Sequence, residues 1–275
     1  MRFGVMQGVL GETPPGVFKT AKDLGFDGVE LDWRDPGEIG EEGAFAPGRR
    51  IEWRNAAREA GVEIPSIVAH FLNGGGLSSA GIGVQETARK AIRDGIEICR
   101  DLGARTLLVP FFGEAELTTP FRVDRLVDNL IQLAPVAEDA GVVLAIEHSL
   151  PAARAVEILE SVGSPSVADY WDMGNAMCFA YDPVREVTTL GRRIAQVHAK
   201  EYEPGGGSNG RPRPGQYPGL NARPFGQGRV PVREIFAALE REGYDGYVVI
   251  ETGVFGDRKE SARAALDVLR QATAG

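Results

Sequence analysis

VVLAIEHS, residues 142–149, is an apolar run that ends in a glutamate and a histidine. An unpaired carboxylate inside an apolar interior is expensive, so a buried strand that stops on Glu147 needs an explanation. Either the chain turns into solvent there, or the strand is one stave of a barrel whose strands carry ligands to a common rim.

The flanking segments decide between these. A helix-period stretch that ends in glycine, followed by a short β-rich run, recurs along the chain. Gly25 precedes FDGVELD, Gly61 precedes VEIPSIVAH, Gly103 precedes ARTLLVP and Gly141 precedes VVLAIEH, with weaker instances at Gly163, Gly191 and Gly243. Glycine closes a helix cheaply because it enters the left-handed region without a Cβ clash. With an initial strand RFGVM at 2–6, the pattern gives eight strands. Apolar stripes at helical spacing lie between them: Ala88, Ile92, Ile96 and Cys99; Val232, Ile235, Phe236 and Leu239; Ala262, Ala265, Leu266 and Leu269. Thr13–Pro14 and Thr119–Pro120 read as cap-then-proline helix starts. Pro135 predicts a kink or break in the fourth helix.

Eight βα units of about 30 residues each predict a (β/α)8 TIM barrel, a single α/β domain over residues 1–275. A doubly wound sheet would want a glycine-rich phosphate loop after the first strand. MQGVLGETPP matches neither G-x-G-x-x-G nor the P-loop.

The bulk properties bound the function. A net charge of -9 argues against nucleic acid as a partner. No apolar run approaches the roughly 20 residues that cross a bilayer, so no membrane partner is expected. The N-terminus lacks a signal-peptide pattern, and two cysteines make no disulfide framework, which suits a cytoplasmic protein.

In such a barrel the active site lies at the C-terminal strand ends. Here those ends carry Glu30 and Asp32, then His70, Glu114, Glu147, Asp172, His198 with Lys200, and Glu251. Strand side chains alternate with period two. If Glu147 points inward, Ala145 does too, and Leu144, Ile146 and His148 face the helices. His148 is therefore read as structural. Two of the three histidines, His70 and His198, fall in phase with the interior. Glu147, Asp172, His198 and Glu251, from four successive strands, form a candidate oxygen-rich metal site. Hard Mn²⁺ or Mg²⁺ suits the carboxylates, and one imidazole extends the choice to Co²⁺ or Zn²⁺.

LAIEH, DYWDMGNA, VHAKE and VVIETG, together with GFDGVELD and GQGRVPVREIFAALEREGYDGYVVIE, resemble the xylose isomerase-like barrels across essentially the whole chain. The resemblance implies one divalent metal ion, Mn²⁺ first, on Glu147, Asp172, His198 and Glu251. It also implies that Glu147 and Glu251 double as the catalytic acid/base pair. The implied activity is isomerisation or epimerisation of a sugar or sugar phosphate (a ketose) by proton abstraction through a metal-bound enediolate. Lys200 matches the His-x-Lys that would hold a substrate oxygen.

The chain departs from the ketose 3-epimerases at three positions. Asn175 stands where they carry histidine, Ala153 where they carry glutamate, and Pro204 where they carry arginine. His70, Lys200, Asn175, Glu30, Trp33 and Arg223 are the candidate substrate contacts. Phe112 is a second candidate rim aromatic beside Trp33, Cys178 reads as a small buried thiol, and Glu114 as a loop carboxylate.

Residues 203–228, rich in Gly and Pro, form a long loop on the active-site side that carries Arg211, Arg213 and Arg223. It is read either as a cover over substrate that holds a phosphate or carboxylate, or as a solvated insertion or oligomer contact. A homo-oligomer through exposed helices is compatible with the pattern. The nearest rival activity is a dehydratase of a keto-polyol that shares the first proton abstraction. A DNA-repair enzyme of the endonuclease IV type would want several more histidines, and intact Glu147 and Glu251 argue against a non-catalytic sugar-binding subunit.

Overall fold

The structure is a computed structural model that describes residues 1–204 and 220–273. Strands β1 (Arg2–Met6), β2 (Gly28–Trp33), β3 (Ser66–Ala69), β4 (Thr106–Phe111), β5 (Val143–His148), β6 (Val167–Asp172) and β7 (Ile194–Ala199) are followed by two short strands, β8 (Tyr202–Pro204) and β9 (Leu220–Ala222), and then β10 (Tyr247–Ile250). All but β8 and β9 close into one parallel barrel in the order β1-β10-β7-β6-β5-β4-β3-β2. The α-helices are α1 (Gln7–Leu10), α2 (Gly16–Leu24), α3 (Pro47–Ala60), α4 (Ile82–Leu102), α5 (Pro120–Ala140), α6 (Ala152–Val162), α7 (Met173–Cys178), α8 (Pro183–Leu190), α9 (Val232–Arg241) and α10 (Arg258–Thr273). The TIM barrel expected from the repeated glycine punctuation is the fold observed.

Burial follows the predicted parity. Leu144, Ile146, Leu107, Ile67, Val29 and Val248 are fully inaccessible to solvent. The expected stripes of α4, α9 and α10 are all buried too, so each helix contributes one apolar face to the barrel wall. At the end of α5, Gly141 adopts φ +66° and its N–H bonds back to Ala137 and Glu138, which turns the chain into β5.

Two local expectations are corrected. Helix α5 runs unbroken through Pro135. That proline lies on an exposed part of the helix beside exposed Ile131, so the carbonyl it leaves unbonded can be hydrated. Thr13 does not cap α2: the helix begins at Gly16 after Pro14 and Pro15, with no side-chain cap. Thr119 does cap α5, accepting from the Arg122 N–H at 3.3 Å.

The long loop is not irregular throughout. Its flanks pair as an antiparallel ribbon, Tyr202 with Ala222 and Pro204 with Leu220. Arg211 and Arg213 lie outside the described residues.

One irregularity positions the site. Between β6 and β7 the register shifts at Asp169/Tyr170, so that Tyr170 aligns with Gln196 and Asp172 with His198. Without the extra residue on β7, Asp172 would face Val197. The bulge re-aims two side chains into one layer.

Candidate active site

The four residues converge at the C-terminal end of the barrel. One ligand atom from each of Glu147, Asp172, His198 and Glu251 can be chosen so that all lie within 4.8 Å of one another. His198 Nδ1 is 2.8 Å from Glu251 Oε2, 3.6 Å from Glu147 Oε1 and 3.9 Å from Asp172 Oδ2.

Local structure aims each group. Asp172 ends β6 and caps α7, accepting the Asn175 N–H on Oδ1 at 2.8 Å, which leaves Oδ2 turned to the centre. Asn175 Nδ2 donates to Glu147 Oε1 at 3.0 Å. Beneath, Glu30 Oε1 lies 2.7 Å from His198 Nε2. This leaves Nδ1 toward the carboxylates, the arrangement in which a ligating histidine is braced by a carboxylate behind it. Asp172 Oδ2, His198 Nδ1 and Glu251 Oε2 are buried without a hydrogen bond of acceptable geometry. These three atoms converge with a Glu147 oxygen on one point, and a set of three carboxylates and one imidazole fits a hard or borderline divalent cation.

Lys200 closes the ring, with Nζ 2.6 Å from Glu251 Oε2, 2.9 Å from Asp172 Oδ2 and 3.8 Å from Glu147 Oε1. Burial alone would lower the Lys200 pKa, but the charges of Asp172, Glu251 and Glu147 hold it well above its ordinary value. Burial also opposes charge on His198, and Glu30 and Glu251 reverse that and raise it. Asp172 is pushed up to about 6 by burial, reinforced by Glu147 and Glu251 against the pull of Lys200. Burial would raise Glu251 as well, yet Lys200 and His198 hold it below the usual carboxylate range. Carboxylates of unlike proton affinity in one site are a recurrent feature of acid/base centres.

A cavity of about 230 Å³ opens above them, lined among others by His70, Phe112, Glu147, Asn175, His198, Lys200, Tyr202 and Glu251. A larger one, about 550 Å³, opens at the opposite, N-terminal mouth and holds none of the four converging residues. The small cavity is the candidate site because three of the four converging residues, Glu147, His198 and Glu251, line it. His70 Nε2 is 3.3 Å from Asp32 Oδ1, and Arg34 pairs with the other oxygen at 2.6 Å.

Three of the six candidate substrate contacts, His70, Lys200 and Asn175, line this cavity, and three do not. Trp33 is 0% exposed and points into the barrel wall, its ring 4.8 Å from Phe71 and its indole N–H bonded to the Asp35 carbonyl. It follows inward Asp32, so strand parity turns it outward; Phe112 and Tyr202 are the aromatics among the residues that line the cavity. Glu30 is also 0% exposed and one layer too deep to touch a ligand; it pairs with His198 and not with Lys200. Arg223 is exposed and does not line the cavity; its backbone N–H bonds to the Glu201 carbonyl.

His148 faces the helices, with Nε2 3.0 Å from Asp169 Oδ2. Burial pushes the Cys178 thiol up to about 12, in keeping with an inert buried group.

Sequence reasoning missed a polar layer below the ring. Ser66 and Tyr170 hydroxyls donate to Glu30 Oε2, both at 2.6 Å, and Gln196 bonds to both hydroxyls. Parity held the signal: Tyr170 and Gln196 sit two residues before Asp172 and His198. It also missed Glu201, buried, whose carboxylate accepts from the Gly226 and Val230 N–H groups at 2.9 and 3.1 Å and ties the far end of the long loop to the rim.

Comparison with known proteins agrees with this architecture. The sequence profile described as xylose isomerase-like TIM barrel matches residues 18–272. A 2-epi-5-epi-valiolone 7-phosphate 2-epimerase of Actinoplanes sp. strain SE50/110 is 32% identical over 205 residues, covering 74% of this chain and 73% of that protein. The putative L-ribulose-5-phosphate 3-epimerase SgbU of Escherichia coli strain K12 is 28% identical, covering 84% and 80%. Among solved structures, a D-psicose 3-epimerase in the presence of D-fructose superposes with a TM-score of 0.80 at 20% identity, covering 100% of both chains. An L-ribulose 3-epimerase superposes at 0.78 with 21% identity, covering 99% and 96%. With the profile matching nearly its whole length, the chain belongs to the xylose isomerase-like TIM-barrel family.

Proposed function

We propose that the protein is a divalent-metal-dependent epimerase or isomerase of a ketose, most readily a sugar phosphate. The carrying observation is the convergence of Glu147, Asp172, His198 and Glu251 on one point, with Glu147, His198 and Glu251 lining a 230 Å³ cavity. That volume is below the roughly 300–1,000 Å³ typical of drug-sized ligands, which suits a small polyol. The two sequence relatives are named for phosphorylated substrates, a cyclitol and a pentulose, at 32% and 28% identity, which favours a phosphorylated substrate here over the free ketoses in the names of the two solved structures at 20% and 21%.

Glu147, Asp172, His198 Nδ1 and Glu251 would hold the ion, Mn²⁺ in first place and Mg²⁺, Co²⁺ or Zn²⁺ as alternatives. When bound, it would supply Lewis-acid polarisation of a carbonyl. The chain's own residues do the rest. One of Glu147 and Glu251 removes the proton from the carbon beside the carbonyl, and the other returns a proton to the opposite face. Asn175 fixes the orientation of Glu147 through its 3.0 Å hydrogen bond. Lys200 offers hydrogen-bond donors to a substrate oxygen, and His70, steadied by Asp32, lies on the cavity wall. Phe112 excludes water from one side.

Both cysteines are buried and unpaired, which supports placement in a reducing cytoplasm. Exposed Ile82, Val84 and Phe121, at the starts of the packed helices α4 and α5, support a homo-oligomeric contact. We take residues 1–275 as one domain.

The test is incubation of the Mn²⁺-loaded protein with a panel of ketoses and ketose phosphates in D₂O. The expected result is deuterium at a single carbon together with an epimeric or isomeric product. A dehydrated product would reassign the protein as a lyase, and absence of exchange across the panel would sink the proposal.

A further inference from the structure

His198 has two ring nitrogens, and only Nδ1 faces the carboxylate ring. The hydrogen-bond directions beneath it decide which nitrogen keeps its hydrogen. Gln196 Nε2 donates to Ser66 Oγ at 2.6 Å and to Tyr170 Oη at 2.7 Å. Each hydroxyl, having accepted, gives its single hydrogen to Glu30 Oε2 at 2.6 Å. Reversing the Gln196 amide would draw both hydroxyl hydrogens toward its oxygen and strip Glu30 Oε2 of its donors, so the network runs one way.

Glu30 is 0% exposed, and no water competes for it. Its remaining oxygen, Oε1, lies 2.7 Å from His198 Nε2. A carboxylate only accepts, so Nε2 donates in either charge state of the ring. Nδ1 is then the only ring atom open to a cation.

We propose that Glu30 is a positioning residue: with Ser66, Tyr170 and Gln196 it locks the hydrogen of His198 on Nε2 and reserves Nδ1 for the divalent ion. This rests on the metal-centre reading above. It replaces a substrate contact with a device that sets the tautomer of a ligand, worth about 10–100-fold in metal affinity where such partners have been removed.

The substitution Glu30→Gln discriminates sharply. The Ser66 and Tyr170 hydroxyls both point their hydrogens at one end of residue 30, so a glutamine would place its oxygen there and its NH₂ against His198. Nε2 would have to accept, and the hydrogen would move to Nδ1, where it blocks the ion.

The experiment is isothermal titration of Mn²⁺ into wild type, E30Q and E30D, with long-range ¹H–¹⁵N spectra of the histidine rings in Zn²⁺-titrated samples. With three histidines in the chain, the ring signals are assignable by one His198 variant. We expect folded E30Q to bind Mn²⁺ about 10–100-fold more weakly, with the ring hydrogen on Nδ1 until the added ion displaces it, and E30D, which keeps an anion, to fall in between. An E30Q affinity equal to wild type, with the hydrogen still on Nε2, overturns this inference alone. Wild type that takes up no ion overturns the metal reading and this inference with it. If E30Q fails to fold, the Ser66→Ala/Tyr170→Phe pair takes its place: weakened Mn²⁺ binding supports the network, and unchanged binding overturns it.

Discussion

Lys200 Nζ lies 2.6 Å from Glu251 Oε2 and 2.9 Å from Asp172 Oδ2, so an ammonium neutralises two of the carboxylates assigned to the ion. The two cations compete for the same oxygens. Lys200→Met should therefore leave Mn²⁺ affinity unchanged or tighter, while kcat/KM falls about 100-fold because a substrate oxygen loses its charged donor. Titration calorimetry and steady-state kinetics check both halves. Loss of metal binding in this variant would mean that Lys200 organises the carboxylates and does not contend with the ion.

Glu147 and Glu251 face the same cavity from β5 and from the end of β10. Glu147→Gln and Glu251→Gln should each lower kcat by about 10²–10⁴-fold. If one carboxylate serves each face, each variant should still exchange deuterium into one epimer and lose exchange into the other. Equal, small effects on both would remove these carboxylates from proton transfer.

Trp33 packs in the wall between Phe45 and Phe71. Trp33→Ala should cost about 3–5 kcal/mol in denaturant unfolding, with KM for the substrate unchanged in the folded fraction. Phe112→Ala, at the cavity, should raise KM with little loss of stability. The reverse pattern would return the sugar-facing role to Trp33.

Asp32 supplies a pH dependence with a definite sign. Burial would raise its pKa, but hydrogen bonds from His70 and Arg34 outweigh that and hold it below the ordinary aspartate value. A depressed carboxylate pKa gives stability that is complete above the unfolded-state value and lost as pH falls through the folded one. Asp32→Asn should therefore be less stable than wild type at pH 7, by about 1.5–3 kcal/mol for hydrogen bonds to a charged group. The difference should shrink below pH 4 in urea titrations. A gap that does not vary with pH would show that packing, not charge, is what the substitution removes.

Gly95 limits how α4 seats on the barrel. A Cβ there would stand 2.8 Å from Leu107 Cδ2 and 3.0 Å from a Trp33 ring carbon. Gly95→Ala should destabilise by about 1–3 kcal/mol through overpacking, measured as a lowered Tm with metal affinity unchanged.

Much of the site was legible because period-two alternation is a local property. Knowing that Glu147 points inward suffices to send His148 outward, where it meets Asp169. The same rule, followed to its end, excludes Trp33 once Asp32 is inward. Trp33 has the right side chain for a sugar contact and the wrong phase on its strand. Glu30 illustrates the other limit. Parity sends it inward, yet whether an inward residue reaches the cavity or lies a layer beneath it depends on strand stagger, which no single strand encodes.

What the sequence determined by itself was the repeat: glycine-ended helices, apolar strands, and ionisable residues at successive strand ends, all set by backbone sterics and by the cost of burying charge. Only the tertiary structure decided which of those ends meet. The register shift between β6 and β7 sets Asp172 opposite His198, and closure of the barrel brings Glu30 on β2 under a histidine on β7. These are relations between strands far apart in the chain. They depend on stagger and closure of the whole sheet, which are settled only when all eight staves pack at once.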